Sequence, residues 1–211
     1  MITISEHTFE ESIINPNGYV LDLGCINFMF SCEMKKYCNN IISLDPNLII
    51  ETIPCDVLYE KVALINDDKE IVEFFIYNDK HGNSIMNPQN DFCRKEETII
   101  VESTNLKKLM KKYDIKQFEL IKFDIEGAEY DILKNIDWTV SKQYSIEFHD
   151  FRNMNPTSPN NEIFYSNLFE NMLKFCDVIQ HKKTEHPGFP KGLGDNYWDS
   201  LFILKKEYWL L

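Results

Sequence analysis

The chain has 211 residues, and its 34 acidic and 22 basic side chains give it a net charge of -12 at pH 7. Its length suggests one domain, and its 44% hydrophobic and 27% charged residues exclude a disordered, collagen-like or coiled-coil chain. The negative charge argues against a nucleic-acid backbone or an anionic membrane surface as the main partner, and it favours a neutral or cationic ligand.

The first element predicted is a short amphipathic helix within residues 1–17, because Thr8 and Glu11 have the spacing of a capping box. We expect no secretory signal there, since the segment lacks a positively charged start before an apolar stretch. No apolar run reaches the roughly 18 to 20 residues of a membrane-spanning helix. The six cysteines form no Cys-x-x-Cys pair. We therefore expect reduced thiols and a cytoplasmic location.

Strands and helices are then predicted to alternate, which is typical of a doubly wound, mostly parallel sheet. Residues 71–103 interrupt this pattern with two runs rich in β-branched and aromatic residues, and we interpret them as a small added β-hairpin. The loop at residues 183–199 is a candidate lid. The predicted strands are 19–23, 41–44, 62–65, 71–77, 98–101, 120–123, 144–148, 178–181 and 201–204, and the predicted helices are 27–37, 48–53, 104–113, 125–136 and 161–175.

Two acidic residues mark the first two strands of this sheet. Val20–Gly24 reads VLDLG, so Asp22 and Gly24 close a strand just before a helix N-terminus. A glycine there lets the backbone approach a ligand, although it can equally make only a tight turn. Asp45 ends the next strand about twenty residues later, where nucleotide-binding βαβ units hold a ribose, or it merely forms an Asp-Pro turn. Together they favour a nucleoside ligand.

A second acidic group follows the strands at 120–123 and 144–148. Asp124 and Glu126 point to one side if the strand continues that far, although acids at this point can also simply complement the helix dipole. Glu147 and His149 share one face of the later strand. If the two strands are neighbours, three carboxylates and an imidazole meet where open α/β sheets bind ligands.

These segments resemble the FkbM-type methyltransferases, a branch of the class I S-adenosylmethionine (SAM)-dependent enzymes. The most specific match is LIKFDIEGAEYDIL at Leu120–Leu133, supported by VLDLG, by SLDPN at Ser43–Asn47, by VALIND at Val62–Asp67 and by IEFH at Ile146–His149. The resemblance implies an α/β, Rossmann-like sheet with an antiparallel final strand. It also implies a SAM cofactor and methyl transfer to a hydroxyl group, often on a sugar or polyketide.

The expected organisation is one methyltransferase domain over residues 1–211, with an N-terminal helical extension at 1–17 and a β insertion at 71–103. The expected partner is a small-molecule or carbohydrate acceptor, with no nucleic acid and no membrane. The sequence leaves the oligomeric state and the identity of the acceptor open.

The resemblance also implies roles for individual residues. Asp22 and Gly24 would lie at the methionine part of SAM, and Asn27 and the backbone of Cys25 and Ile26 would also serve SAM if the ring of Phe28 points into the core. Asp45 would lie at the ribose, Ala63 near the adenine, and Asp124 near the amino-acid end or the methyl group. The residues expected to face the acceptor are Glu126, Glu147 and His149.

His149 is the predicted general base, because a group that titrates near neutral pH suits removal of the acceptor proton. Glu147 or Glu126 would orient it or bind sugar hydroxyls. No metal is predicted, although Asp124, Glu126 and Glu147 offer oxygen ligands of the kind that magnesium prefers.

One position departs from the family pattern, because Phe28 occupies the place of a second glycine four residues after Gly24. The ring either narrows the cofactor pocket or packs in the core, and we favour the core. Phe28 motivates a rival hypothesis, a catalytically inactive scaffold protein of a glycan or secondary-metabolite modification pathway. Such a scaffold would not need three partly buried carboxylates. A nicotinamide-dependent oxidoreductase is disfavoured, because the three-glycine fingerprint is absent.

Overall fold

The structure, a computed structural model, describes residues 1–48, 52–77, 83–86, 95–149, 161–184 and 197–210, with only the backbone at 149, 161–166, 181–184 and 197–198. Its strands are β1 (Ile2–Ile4), β2 (His7–Phe9), β3 (Tyr19–Leu23), β4 (Asn40–Leu44), β5 (Leu58–Glu60), β6 (Ala63–Leu64), β7 (Ile71–Tyr77), β8 (Lys95–Thr104), β9 (Leu120–Phe123), β10 (Gln143–His149), β11 (Cys176–Thr184) and β12 (Tyr197–Leu204). Its helices are α1 (Met29–Met34), α2 (Leu106–Lys112), α3 (Glu129–Leu133) and α4 (Asn161–Phe175).

Seven strands form the main sheet, in the order β11-β12-β10-β9-β3-β4-β5. Neighbouring strands from β10 to β5 pair in parallel, whereas β12 pairs antiparallel with both β10 and β11. This arrangement confirms the predicted Rossmann-like sheet with an antiparallel final strand. Because β3, β9 and β4 lie side by side, the turns at their carboxyl ends meet at one edge of the sheet.

Both faces of the central strands are buried, which explains their nearly continuous apolar sequences. Alternation along β3 sends Leu21 and Leu23 into the larger core cluster, which also contains Phe123. The same alternation sends Val20 to the opposite face, where it packs with Phe30 from α1. Asp22 lies two residues after Val20, so its side chain is on the same face of β3 and points towards α1.

The helix predicted within residues 1–17 is wrong, because β1 and β2 pair there as an antiparallel hairpin. Ser5 and Glu6 make its turn with positive φ angles of 45° and 71°, and the helical part is a 3-10 turn at Glu11–Ile13. Thr8 lies in β2 and contacts Thr3 rather than capping a helix. The physical reason is tertiary, since β2 packs on β10 and β12 and its three residues become buried.

The strand predicted at 62–65 exists, but it does not belong to the main sheet. Ala63–Leu64 pairs with β8, and β8 pairs antiparallel with β7, to make a separate three-stranded sheet. The edge of the main sheet is instead Leu58–Glu60, a strand that was not predicted from the sequence. The predicted helix at 48–53 lies partly outside the described residues, and α3 is shorter than the predicted 125–136.

Cys32 and Cys55 form a disulfide, which corrects the expectation that all thiols are reduced. The bond joins α1 to the segment that leads into β5. These residues are 23 positions apart in sequence, so the pairing depends on how α1 packs beside β4 and could not be deduced from spacing. Free thiols are found, among the described residues, at Cys25, Cys38 and Cys176. No helix in the described parts of the chain is long and apolar enough to cross a membrane.

Candidate active site

A row of polar side chains crosses the main sheet on the face that α1 covers. The strand register places Asp22 of β3 beside Ser43 of β4 on one side and beside Lys122 of β9 on the other. Lys122 is in turn beside Ser145 of β10. All four side chains are buried, so each needs a polar partner.

Hydrogen bonds connect this row to α1. The Ser31 hydroxyl donates to Asp22 Oδ2 at 2.5 Å, and its oxygen lies 2.7 Å from Ser43 Oγ. Because the single Ser31 proton is used on Asp22, Ser43 is the donor in the second contact. These hydrogen bonds therefore hold the Asp22 carboxylate against α1, the helix that follows the turn at Gly24.

Lys122 neutralises the charge in the middle of the row. Its Nζ lies 3.1 Å from Asp22 Oδ1 and 3.3 Å from Asp124 Oδ2, and it donates to the carbonyl oxygen of Gly24 at 2.9 Å. Burial alone would lower the pKa of Lys122, but the two carboxylates outweigh it and raise that pKa. The ammonium is therefore charged at neutral pH.

Asp124 is where the buried row reaches the surface. Its carboxylate is partly exposed, and it is approached by Lys122, by His7 and by Glu147. Burial opposes ionisation, but Lys122, then His7 and Glu147, hold the pKa of Asp124 well below its usual range. Asp124 is thus an ionised carboxylate and a weak base.

A cleft with a volume of about 120 Å³ opens at the carboxyl ends of β3, β4 and β9. Open α/β sheets bind their ligands at this edge. The side formed by β4 and β6 is largely apolar apart from Asp45, and the side after β9 carries the carboxyl groups of Asp124 and Glu126. The described lining includes Gly24, Leu44, Asp45, Ala63, Leu64, Asp124, Ile125 and Glu126.

Gly24 brings two of the strand ends into contact. Its φ is +76°, and a Cβ atom placed there would lie 1.8 Å from the carbonyl oxygen of Asp124. No other residue can therefore occupy this position without moving the β9 turn. The glycine serves the close approach of two turns as well as leaving room for a ligand.

Asp45 lies on the side of the cleft that β4 and β6 form. Its Oδ1 accepts from the backbone N–H of Asn47 at 2.8 Å, and its own carbonyl accepts from the hydroxyl of Tyr59 at 2.7 Å. The residue is only 9% exposed. Burial raises the pKa of Asp45, and the Asn47 hydrogen bond partly offsets that effect. A buried carboxylate lining a cleft is suited to accept hydrogen bonds from ligand hydroxyls.

Phe28 is completely buried and is not among the residues that line the cleft. Its ring packs edge-on against Tyr59, with centroids 5.5 Å apart. The backbone there has a φ of +58°, the left-handed region that glycine favours. The position thus keeps a backbone conformation typical of glycine, while its side chain belongs to the core.

The described cleft lining includes five of the predicted site residues: Gly24, Asp45, Ala63, Asp124 and Glu126. The other predicted cofactor residues lie elsewhere. Asp22 is part of the buried row, and Asn27 accepts from the backbone N–H of Met29 at 3.0 Å. Cys25 is buried, and its pKa is raised by that burial. Their contact with a cofactor stays a prediction.

The predicted acceptor-side residues have different outcomes. Glu147 is buried beside Asp124. A carboxylate oxygen of each residue and a ring nitrogen of His7 lie within 4.8 Å of one another. His149 ends β10 as predicted, but its side chain lies outside the described residues. In the acidic segment after β9, Glu129 and Asp131 lie in the first turn of α3, where acids complement the helix dipole, and Glu129 Oε1 also accepts from the Ile125 backbone N–H.

Two residues that contact Asp124 were not predicted as site residues from the sequence. Lys122 lies inside the quoted motif, and a lysine in an otherwise apolar strand was a signal of a buried counter-charge. His7 carried no such signal, because its neighbours in space are 117 and 138 positions away, at Asp124 and Ser145.

Comparison with known proteins identifies a relationship over most of the chain. A family model described as the methyltransferase FkbM domain matches residues 19–182, from the start of β3 into β11. Among curated proteins, no sequence matches the chain. Among solved structures, the N-methyltransferase NodS from Bradyrhizobium japonicum WM9 is 7% identical, with a TM-score of 0.45, over 90% of this chain and 86% of that chain. The 16S rRNA methylase ArmA is 12% identical, with a TM-score of 0.39, over 92% and 78%.

Proposed function

The chain belongs to the FkbM methyltransferase family, whose methyl donor is SAM, and we propose that it methylates a hydroxyl group of a small molecule, a sugar or other glycan. The observation that carries this proposal is the two-sided cleft at the ends of β3, β4 and β9. One side offers apolar walls and the buried carboxylate of Asp45, and the other offers the carboxyl groups of Asp124 and Glu126. A nucleoside cofactor and a polar acceptor need these two environments.

The residues of the first side fit SAM. Asp45 would hold the ribose hydroxyls, Ala63 would lie beside the adenine, and Gly24 leaves the backbone free of a side chain at the turn. When bound, SAM supplies a methyl group activated by a positively charged sulfonium. The nearby carboxylates of Asp124 and Glu126 favour that cation over neutral S-adenosylhomocysteine.

Asp45→Ala tests the cofactor side of the proposal. Loss of hydrogen bonds to a charged group should weaken SAM binding by about 1.5 to 3 kcal/mol, or about 10- to 150-fold. Isothermal calorimetry with SAM and with S-adenosylhomocysteine measures the change. Asp56→Ala is the matched control, because it removes the same charge from a fully exposed position. Equal SAM affinity in Asp45→Ala and Asp56→Ala would contradict the assignment.

The acceptor side must remove a proton from the hydroxyl, and we assign that role to His149. It ends β10 two residues after Glu147, and strand alternation predicts that the two share one face. Glu147 and Glu126 would orient the imidazole or bind acceptor hydroxyls. Asp124 is less suited to be the base, because its pKa is held low by Lys122, His7 and Glu147 against the effect of burial.

His149→Ala should retain SAM binding and lose about 10²- to 10⁴-fold in turnover, the usual contribution of a general base. Methyl transfer from labelled SAM to a panel of sugars measures turnover, and the wild-type rate should rise with pH through the titration of the histidine. His149→Gln within a few-fold of wild type would move the base role to Glu126 or Glu147.

The rival scaffold hypothesis was motivated by Phe28 as an obstacle in the pocket. Phe28 packs on Tyr59 and is not among the residues lining the cleft, so that motive is lost. Binding of SAM without turnover on any acceptor would restore the hypothesis. The cytoplasmic location, and an acceptor that is neither nucleic acid nor membrane, stay predictions.

A further inference from the structure

Three potential metal ligands meet beside the cleft from three separate parts of the chain. His7 of β2, Asp124 after β9 and Glu147 of β10 each bring one ligand atom to within 4.8 Å of the other two. His7 is 3% exposed and Glu147 is 8% exposed, whereas Asp124 reaches the cleft. The cluster is therefore buried on one side and open on the other.

The contacts of His7 leave its Nε2 able to bind a cation. Its Nδ1 lies 3.2 Å from Ser145 Oγ, while its Nε2 faces Asp124 Oδ2 at 3.6 Å, beyond ordinary hydrogen-bond distance. Without an ion, Nε2–H can donate towards Asp124; with an ion in place of that proton, Nδ1–H can donate to Ser145 and the Nε2 lone pair is left for the metal. Two ligands of one ion, each about 2.1 Å from it, lie about 3 to 3.5 Å apart. A metal-binding histidine typically donates its other N–H in this way.

We propose that His7 Nε2 and the carboxylates of Asp124 and Glu147 bind one divalent metal ion of the Mn²⁺ or Zn²⁺ class. One imidazole nitrogen with two carboxylate oxygens is a donor set that suits such ions. Because Asp124 lines the cleft, positions of the ion not occupied by protein would face the ligand space. The proposal revises the prediction that the chain holds no metal.

Lys122 is the main competitor for the ion, because its Nζ lies 3.3 Å from the same oxygen of Asp124. The lysine has other partners that would keep it in place. Asp22 Oδ1 is 3.1 Å away, and the carbonyl of Gly24 accepts from it at 2.9 Å. Asp124 can therefore bind a metal without leaving the buried ammonium uncompensated.

His7 lies outside residues 19–182, the part of the chain that the family model matches. The metal site would thus depend on the N-terminal hairpin. If the acceptor is a hydroxyl, as the proposed function has it, an ion at this place would lower the pKa of that hydroxyl. This consequence rests on the proposed function, whereas binding of the ion does not.

The test is Mn²⁺ binding to the whole chain after treatment with chelator and without SAM. Electron paramagnetic resonance of free Mn²⁺ should reveal one strong site per chain. His7→Gln and Glu147→Gln, on two different elements, should each weaken that site at least about tenfold. Asp68→Asn is the matched control for binding by surface charge, because its side chain is 91% exposed, and it should leave the site unchanged.

A pulsed resonance experiment then identifies the ligand directly. Bound Mn²⁺ should show coupling to a nitrogen nucleus in the wild type, and this coupling should disappear in His7→Gln. Absence of nitrogen coupling in the wild type, or equal Mn²⁺ affinity in wild type and Glu147→Gln, overturns the metal site. Calorimetry with SAM on the metal-free protein separates the two proposals, because SAM binding can persist when Mn²⁺ binding fails.

Discussion

The two sides of the cleft are stabilised by different forces. The side formed by β4 and β6 is held by apolar packing, by the Tyr59 hydroxyl on the Asp45 carbonyl, and by a disulfide nearby. The side formed by the end of β9 and the turn after it is held by charge compensation around Lys122. Substitutions that change charge should therefore destabilise the β9 side. Substitutions that change packing or the disulfide should destabilise the β4 side.

The largest expected effect is that of Lys122→Met. It leaves the carboxylates of Asp22 and Asp124 without their buried counter-charge, which should cost about 3 to 5 kcal/mol of unfolding free energy. Urea unfolding measures it. The double variant Lys122→Met/Asp22→Asn should recover part of the loss. A single variant within about 1 kcal/mol of wild type would show that the charges are not coupled as described.

The pH dependence of stability provides a second test of the charged side. Asp124 has a folded pKa below its ordinary 3.8, so its stabilisation is present above that value and is lost as the pH falls. Lys122 has a folded pKa above its ordinary 10.5, so its stabilisation is present below 10.5 and is lost as the pH rises further. Both flanks of the stability profile should flatten in Lys122→Met.

Reduction of Cys32–Cys55 tests the other side. Opening a link between residues 23 positions apart should cost about 3 kcal/mol, through the greater freedom of the unfolded chain. Unfolding with and without a reductant measures this, and Cys32→Ser/Cys55→Ser is the control that should ignore the reductant. A wild-type protein with the same midpoint in both conditions would mean that the link does not stabilise the fold.

The smallest effect is expected for Phe28→Gly. Loss of a buried ring costs about 3 to 5 kcal/mol, but glycine relieves about 1 to 2 kcal/mol of strain at a φ of +58°, which leaves about 2.5 kcal/mol at the middle of both ranges. Phe28→Ala keeps the strain and should be less stable than Phe28→Gly. SAM affinity should not change. Wild-type stability with tighter SAM binding would place the ring in the cofactor's path.

The sequence predicted the β4 side of the cleft better than the β9 side. Gly24 and Asp45 come directly after apolar strands, so their place at the sheet edge is a consequence of local pattern and parallel pairing. Asp22 shows the limit of that reasoning. Alternation along β3 predicts which face of the sheet carries Asp22. Its burial beside Lys122, however, depends on the register between β3 and β9. A residue expected to face the cofactor is therefore part of an internal network.

The sequence by itself determined the four central strands β3, β4, β9 and β10 and the acidic segment after β9, because apolar periodicity and strand-end residues are local properties. Only the tertiary structure decided that the N-terminal segment is a hairpin, that Cys32 meets Cys55, and that His7 reaches Asp124. These contacts join residues far apart in the chain. Their free energy comes from surfaces that exist only once the sheet has formed, and no local pattern encodes it.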